Sequence, residues 1–538
     1  MGKFKLLLAI IVCLACLAPL VYQIQFKSVI NERNYRTPLS VQSKDNREDR
    51  LTSQWRYKNG SVNFSMVTQN FIVSIVNPQA VYQVGQLLLI KIVAKDSKGR
   101  VKSYGGDFLR TKLYSNVPVQ ASTAGRVTDF KNGTYIARFF LSWPGILFVS
   151  VQLIHSSEAV QVLKRIRDTA PVRRIMVCGF LDEKRNVSEW TPCTNNVGKH
   201  VNLRDVCEYS KPAFNVSFHC QRPTRPIRCG SITVCHRDRT GTSTLQDEIV
   251  TADEKKLFPR DLSLKETSSS SIEIQAKGIR VTKKVTGSTL PVCAPRLAEA
   301  ASEGYWFNGT WNCLRCQTRR FPSARSMLDC LQHKSLYFFG DSTTRQWWAY
   351  LTEFIGLGRS GDVPQIINIA SSSSREYNVS LKYRFHYFPK NVNVKNIDVN
   401  TLGYVAEGID EIVGGPNVVI IVGLWAHFMA EPMETFRSRV WGIRHAIERL
   451  HSRYPDTLVI WRTSNTNHHD RLSHFVENSD WYGYQLFLEV KKILEDVNVA
   501  ILDVWEMSES MWHDAIMHPP KEVIKEHVNM LLSYICPA

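Results

Sequence analysis

Ser342, at the end of a Gly340-Asp341-Ser342 turn, is the side chain in this 538-residue sequence best placed to act as a nucleophile. An apolar run over residues 336–339 leads into the turn, and Trp347, Tyr350, Leu351 and Phe354 follow at helical spacing. The pattern predicts a strand, a tight turn and an amphipathic helix, with the serine at the junction. There, unpaired backbone N–H groups and the helix dipole favour developing negative charge. Such a position suits acyl transfer, in which attack on a carbonyl creates an oxyanion. A serine nucleophile also needs a base, and the base needs an orienting partner. The late segment Trp512-His513-Asp514-Ala515-Ile516-Met517-His518 supplies imidazole and carboxylate together, and Asp503 lies just upstream.

The elements that must position these groups alternate in type from Cys293 onward. Strands are predicted at 336–339, 417–422, 457–461 and 499–502. Helices are predicted after the Ser342 turn, at 434–453 and 481–494, and from Lys521, where Ile524, Val528, Leu531 and Ile535 share one face. Such alternation predicts an α/β/α domain with a mostly parallel sheet, whose ligands bind beyond the carboxyl ends of the strands. Ser342 and His518 both fall at that edge. His468-His469-Asp470 is read as a polar loop, because adjacent histidines point apart and no third metal ligand has fitting spacing. Trp347 and Trp348 are read as core packing for at least one of the pair, with a sugar-lining role as the rival.

The first half follows a different grammar. Lys3 and Lys5 precede an apolar run over residues 6–22, so residues 1–26 are read as a signal peptide or signal anchor. Pro19 after the Ala18 cleavage candidate favours an uncleaved anchor, and Leu6 excludes the myristoylation pattern that Gly2 invites. Seven Asn-x-Ser/Thr sequons, at Asn59, Asn63, Asn132, Asn186, Asn215, Asn308 and Asn378, imply a lumenal or extracellular body. Of the 13 cysteines, Cys13 and Cys16 lie in the apolar run. The remaining odd number leaves at least one free or paired between chains. Structural disulfides are preferred over zinc for Cys313-x-x-Cys316. Residues 27–65 read as a polar stem. Short apolar runs at 71–76, 87–94, 134–141 and 145–153, broken by turn residues, predict an antiparallel sandwich. A cysteine-rich stretch follows. The formal net charge of +18 is spread along the chain and reads either as a soluble basic surface or as affinity for acidic partners, glycans rather than nucleic acid, for which no motif appears.

Two resemblances cover nearly the whole sequence. Residues 129–139, Asp129-Phe-Lys-Asn-Gly-Thr-Tyr-Ile-Ala-Arg-Phe139, with Pro144-Gly145 and a further strand, resemble the last hairpin of filamin-type immunoglobulin domains. That sandwich, to about residue 166, and the cysteine-rich part behind it resemble neurexophilin over residues 66–290. The Gly-Asp-Ser turn and the late Asp/His pair over residues 293–538 resemble the SGNH hydrolase fold in its plant and fungal cell-wall (PC) esterase form. Together they resemble the neurexophilin and PC-esterase domain family. The resemblance implies Ser342 as nucleophile, His518 as general base and Asp514 as its orienter. The family spacing there is Asp-x-x-His, whereas Asp514 stands four residues before His518, so Asp503 and His513 remain rivals. Where relatives place an oxyanion-hole Asn, this strand end reads Gly423-Leu-Trp-Ala-His427. That leaves the Gly423 amide, the Trp425 indole or the His427 imidazole as donors beside Gly340 and Asp341. Arg462-Thr463 resembles a pair in the plant relatives and is read either as a contact to an acidic glycan or as a solvated or salt-bridged arginine.

The implied activity is secretory-pathway O-acetyl transfer to glycans, or O-acyl ester hydrolysis, with sialic acid on mucin-type glycans as acceptor. No cofactor or metal is expected to be bound, and acetyl-CoA is one acyl donor. The location implied is the Golgi lumen or the exterior, with a single N-terminal anchor as the membrane contact. The rival reading is an inactive secreted or anchored ligand that binds a cell-surface receptor through its neurexophilin-like region.

Overall fold

Apolar side chains at every second residue set the inward faces of the first strands. In Leu87–Lys95 these are Leu88, Ile90, Ile92 and Ala94, and in Thr134–Phe140 they are Tyr135, Ala137 and Phe139, all buried. The computed structural model describes residues 67–68, 70–169, 176–195, 203–237, 249–258, 273–277, 290–357, 369–387, 403–512 and 517–537. Among the described residues, eight strands come first: β1 (Asn70–Ile75), β2 (Tyr82–Gln83), β3 (Leu87–Lys95), β4 (Phe108–Ser115), β5 (Ala121–Ala124), β6 (Arg126–Asp129), β7 (Thr134–Phe140) and β8 (Gly145–His155). One sheet has the order β1-β3-β7-β6 and packs on a second sheet through Phe71, Ile90, Phe139, Leu113, Leu147 and Val151.

A five-stranded cysteine-rich sheet comes next: β9 (Met176–Asp182), β10 (Val187–Thr194), β11 (Val206–Glu208), β12 (His219–Gln221) and β13 (Ile232–Arg237). Disulfides Cys178–Cys235 and Cys193–Cys220 join registered partners on neighbouring strands, and Cys207–Cys229 closes the third link.

The boundary expected between residues 290 and 293 does not separate the sheets. Strand β14 (Glu273–Lys277) pairs with β8, and the hairpin β15 (Gly304–Phe307) and β16 (Thr310–Cys313) adds to β5. The sandwich's second sheet therefore reads β16-β15-β5-β4-β8-β14-β2 and borrows its edge from the second half of the chain. The Asn308-Gly309 pair, both at positive φ, makes the hairpin turn, a sequence signal that the reading above passed over. On the other side, β8 runs into the helix Ser157–Thr169, whose Ala159, Val162, Leu163 and Ile166 enter the core of the C-terminal half.

That half is built on the six-stranded sheet β18-β19-β17-β20-β21-β22, where β17 is Ser335–Gly340, β18 Ile369–Ser374, β19 Val379–Phe385, β20 Val418–Gly423, β21 Leu458–Arg462 and β22 Ala500–Leu502. All neighbours are parallel except the edge strand β18. Alternate residues of β20 serve opposite faces: Val419 and Ile421 meet the helices Ser342–Phe354 and Lys521–Ile535, while Ile420 and Val422 meet Met433–Arg453 and Asp480–Ile493. The chain leaves β17 to β19 on one side and β20 on the other. That places the β17 carboxyl end at a topological switch point. The disulfide Cys330–Cys536 spans 206 residues and ties down the end of the C-terminal helix; a loop of this length is worth about 5 kcal/mol in a chain-entropy account.

A buried charge cluster cements sandwich to C-terminal half. Arg126 of β6 donates to Glu506 (2.6 Å) and Glu303 (3.1 Å), and Arg315 pairs with Glu303 at 3.2 Å. Burial first, and Asp503 second, push the Glu303 carboxyl up to about 8, against the pull of both guanidiniums. Burial and the Glu506 charge push Asp503 up to about 6. A carboxyl whose folded pKa is raised holds its proton to higher pH in the folded state than in the unfolded one. Its stabilising contribution is complete below the unfolded value and is lost as pH rises through the folded one. Thermal melts should therefore show the melting temperature falling as pH rises from about 4 to about 8. Glu303→Gln should flatten that slope, and an unchanged slope would refute the assignment.

Candidate active site

The turn that carries Ser342 is fixed by two glycines and one carboxylate. Gly340 ends β17 directly beside Gly423 at the end of β20. A Cβ on Gly340 would lie 2.1 Å from the Gly423 carbonyl oxygen, and one on Gly423 would lie 2.2 Å from Thr344 Oγ1, so only glycine fits at either position. Asp341, fully buried, is the N-cap of the helix Ser342–Phe354. Its Oδ1 accepts from the Thr343 amide (2.9 Å) and hydroxyl (2.6 Å), and its Oδ2 accepts from the Ala426 amide (3.0 Å). Trp425 Nε1 donates to Thr343 Oγ1 at 3.0 Å, and Thr344 Oγ1 donates to the Gly423 carbonyl at 3.0 Å. The head of the helix is thus bolted to the loop after β20. Ser342, half-buried, projects from this frame.

His518 approaches from the segment before the C-terminal helix. Its Nε2 lies 2.8 Å from Ser342 Oγ, and the imidazole is exposed. Sequence separation between the two is 176 residues, spanned by the sheet itself. Asp514 and His513 lie outside the described residues. Asp503 is not the third member: its carboxylate accepts from the Trp505 amide (2.9 Å) and faces the Glu303–Glu506 cluster.

Residues 311–536 match the family model described as NXPE family member 4-like, C-terminal domain, and residues 56–245 match the neurexophilin model. The two matches together are those of the neurexophilin and PC-esterase family. Among solved structures it is similar to an active-site mutant of a family two carbohydrate esterase from Clostridium thermocellum. The identity is 8% over 86% of this chain and 97% of that one, with a TM-score of 0.21, a likeness too distant to bear on fold or activity.

Several expected site residues do other work. Trp425 is not free to serve an oxyanion, since its indole N–H is spent on Thr343. Asp341 is fully buried, with both carboxylate oxygens occupied by backbone and hydroxyl donors. Arg462 is fully buried between the rings of Trp347 and Trp425, at 5.4 and 5.7 Å, and donates to the Thr463 carbonyl and Asn465 Oδ1, so it is neither a glycan contact nor a solvated arginine. Burial pushes its guanidinium down to about 10 against the attraction of Asp341. His427, half-buried, has its Nδ1 2.8 Å from Nε2 of His386. His386 follows β19, a strand absent from the sequence reading although Val379, Leu381, Tyr383 and Phe385 alternate cleanly. Trp347 and Trp348 are both core. His469 is buried, its Nε2 accepting from the Asp480 amide at 3.0 Å.

Among the described residues, Cys178, Cys193 and Cys220 alone group as metal ligands would, and all three are in disulfides. Cys316 pairs with Cys293, which leaves Cys313 free. Asn132, Asn186, Asn215, Asn308 and Asn378 are exposed, the last four at positive φ. Asn59, Asn63, the apolar run of residues 6–22 and the polar stem fall outside the described residues. No described helix is long and apolar enough to cross a membrane. Five disulfides and the neurexophilin match fit a secretory-pathway location.

Proposed function

We propose that this chain is a secretory-pathway O-acyltransferase or O-acylesterase that works through an acyl-enzyme on Ser342. The observation that carries the reading is the 2.8 Å contact between Ser342 Oγ and His518 Nε2 at the head of a helix. In the first step His518 takes the serine proton while Oγ attacks the carbonyl carbon of an acyl donor. The new C–O bond pushes the carbonyl electrons onto oxygen. That oxyanion forms where the Ser342 amide stands in the first turn of its helix, with the Thr343 and Ala426 amides already committed to Asp341. His518 then returns the proton to the leaving group as the carbonyl re-forms. A sugar hydroxyl or water, deprotonated by the same imidazole, releases the acyl group. Transferase and hydrolase differ only in that acceptor.

In this proposal Asp514 orients His518, the acyl donor is of the acetyl-CoA class, and the acceptor is a glycan hydroxyl. Terminal sialic acid of mucin-type glycans in the Golgi lumen or outside the cell is the first acceptor to test. The neurexophilin-like region would orient the enzyme or hold a receptor. Mass spectrometry of glycan O-acetylation in cells expressing wild type or Ser342→Ala tests the reading: an acetyl signal is expected from wild type alone. Equal signals from both would return the chain to the class of binding ligands.

A further inference from the structure

The His518 segment carries an exposed imidazole, yet holds it at bonding distance from a serine on another element. Something must fix the main chain there. Pro519 and Pro520 follow, so two successive residues lack an N–H, and the backbone near His518 can be anchored chiefly through its carbonyls. Two side-chain amides take those carbonyls. Gln346 Nε2 donates to the Pro519 carbonyl at 2.7 Å, and Asn465 Nδ2 reaches the Met517 carbonyl at 3.4 Å. Asn465 is turned the right way by Arg462, whose Nη2 donates to Asn465 Oδ1. Gln346 stands four residues after Ser342, on the same face of the same helix. Its bond to Pro519 is the one hydrogen bond this side chain makes among the described residues, and its Oε1 is buried without a donor.

We propose that Gln346 is a positioning residue for the base, locking the His518 carbonyl frame to the helix that presents the nucleophile, with Asn465 as the weaker second clamp. This rests on the acyl-enzyme reading above. Its test is the rate at which a fluorophosphonate labels Ser342 in the full-length, disulfide-intact protein, scaled to the folded fraction. Gln346→Met keeps the length and removes the donor, and should slow labelling about 10- to 100-fold. Gln346→Glu, which has no donor at neutral pH, should do the same and serves if the first variant folds poorly. In a His518→Ala background either substitution should cost less than about 2-fold, because Gln346 acts only through that imidazole. A general packing role would instead multiply the two losses, and would overturn the proposal. So would labelling of Gln346→Met at the wild-type rate. Wild type that never labels would remove the acyl-enzyme reading itself, whereas labelled wild type with indifferent Gln346 variants would remove the clamp alone.

Discussion

A fluorophosphonate is expected to label the native protein on Ser342, and His518→Ala is expected to slow that labelling by at least about 1,000-fold. The serine hydroxyl by itself is a weak nucleophile; its reactivity comes from the imidazole 2.8 Å away that accepts its proton. Removing the base leaves the helix head and its oxyanion stabilisation in place, so a residual rate should survive. Ser342→Ala should leave no labelled site. The double variant should be no worse than the serine variant, because the two groups act as one unit. Rapid labelling that persists in His518→Ala would place the base elsewhere. The half-buried His427, whose Nδ1 lies against His386, would then be the residue to examine next.

Asp341→Ala should be the most damaging single change at the site that touches no reacting atom. The carboxylate caps a helix, worth about 1 kcal/mol. It also satisfies the buried Ala426 amide and the Thr343 hydroxyl, each costing roughly 1–3 kcal/mol when left unpaired. Arg462, wholly enclosed, would lose the carboxylate that most favours its charge. Taken together the loss is on the order of 3–5 kcal/mol. Urea unfolding should show it as a lower midpoint at similar slope. Labelling of the remaining folded protein should also drop, since the same bonds hold the turn under Ser342. Asp341→Asn should fall between, because its amide nitrogen would face a donor at one of the two positions. A midpoint within about 1 kcal/mol of wild type in Asp341→Ala would refute this account.

Much of the C-terminal half was legible beforehand because its elements follow strong local rules. The helix from Lys521 shows a one-sided apolar face, and β20 is a continuous apolar run bounded by turn residues, so composition alone gives type and place. β19 shows strict alternation and has turn residues on both flanks, Asn378 before it and Pro389 after it, yet the sequence reading places no strand there. The β15–β16 hairpin advertised itself through Asn308-Gly309, yet nothing local says that it pairs with β5, which lies some two hundred residues earlier in the chain.

By itself, the order of residues determined that a serine stands where a strand hands over to a helix, that an imidazole comes late, and that at least one cysteine lacks a partner within the chain. These follow from period, turn chemistry and counting, all of which are local. Only the tertiary structure decided that His518 meets Ser342, that Asp503 belongs to a junction cluster, and that Asp341, Trp425 and Arg462 support the site from beneath. Which hydrogen-bond donor is spent and which remains available depends on the neighbours that packing supplies across hundreds of residues. A side chain's type does not carry that information.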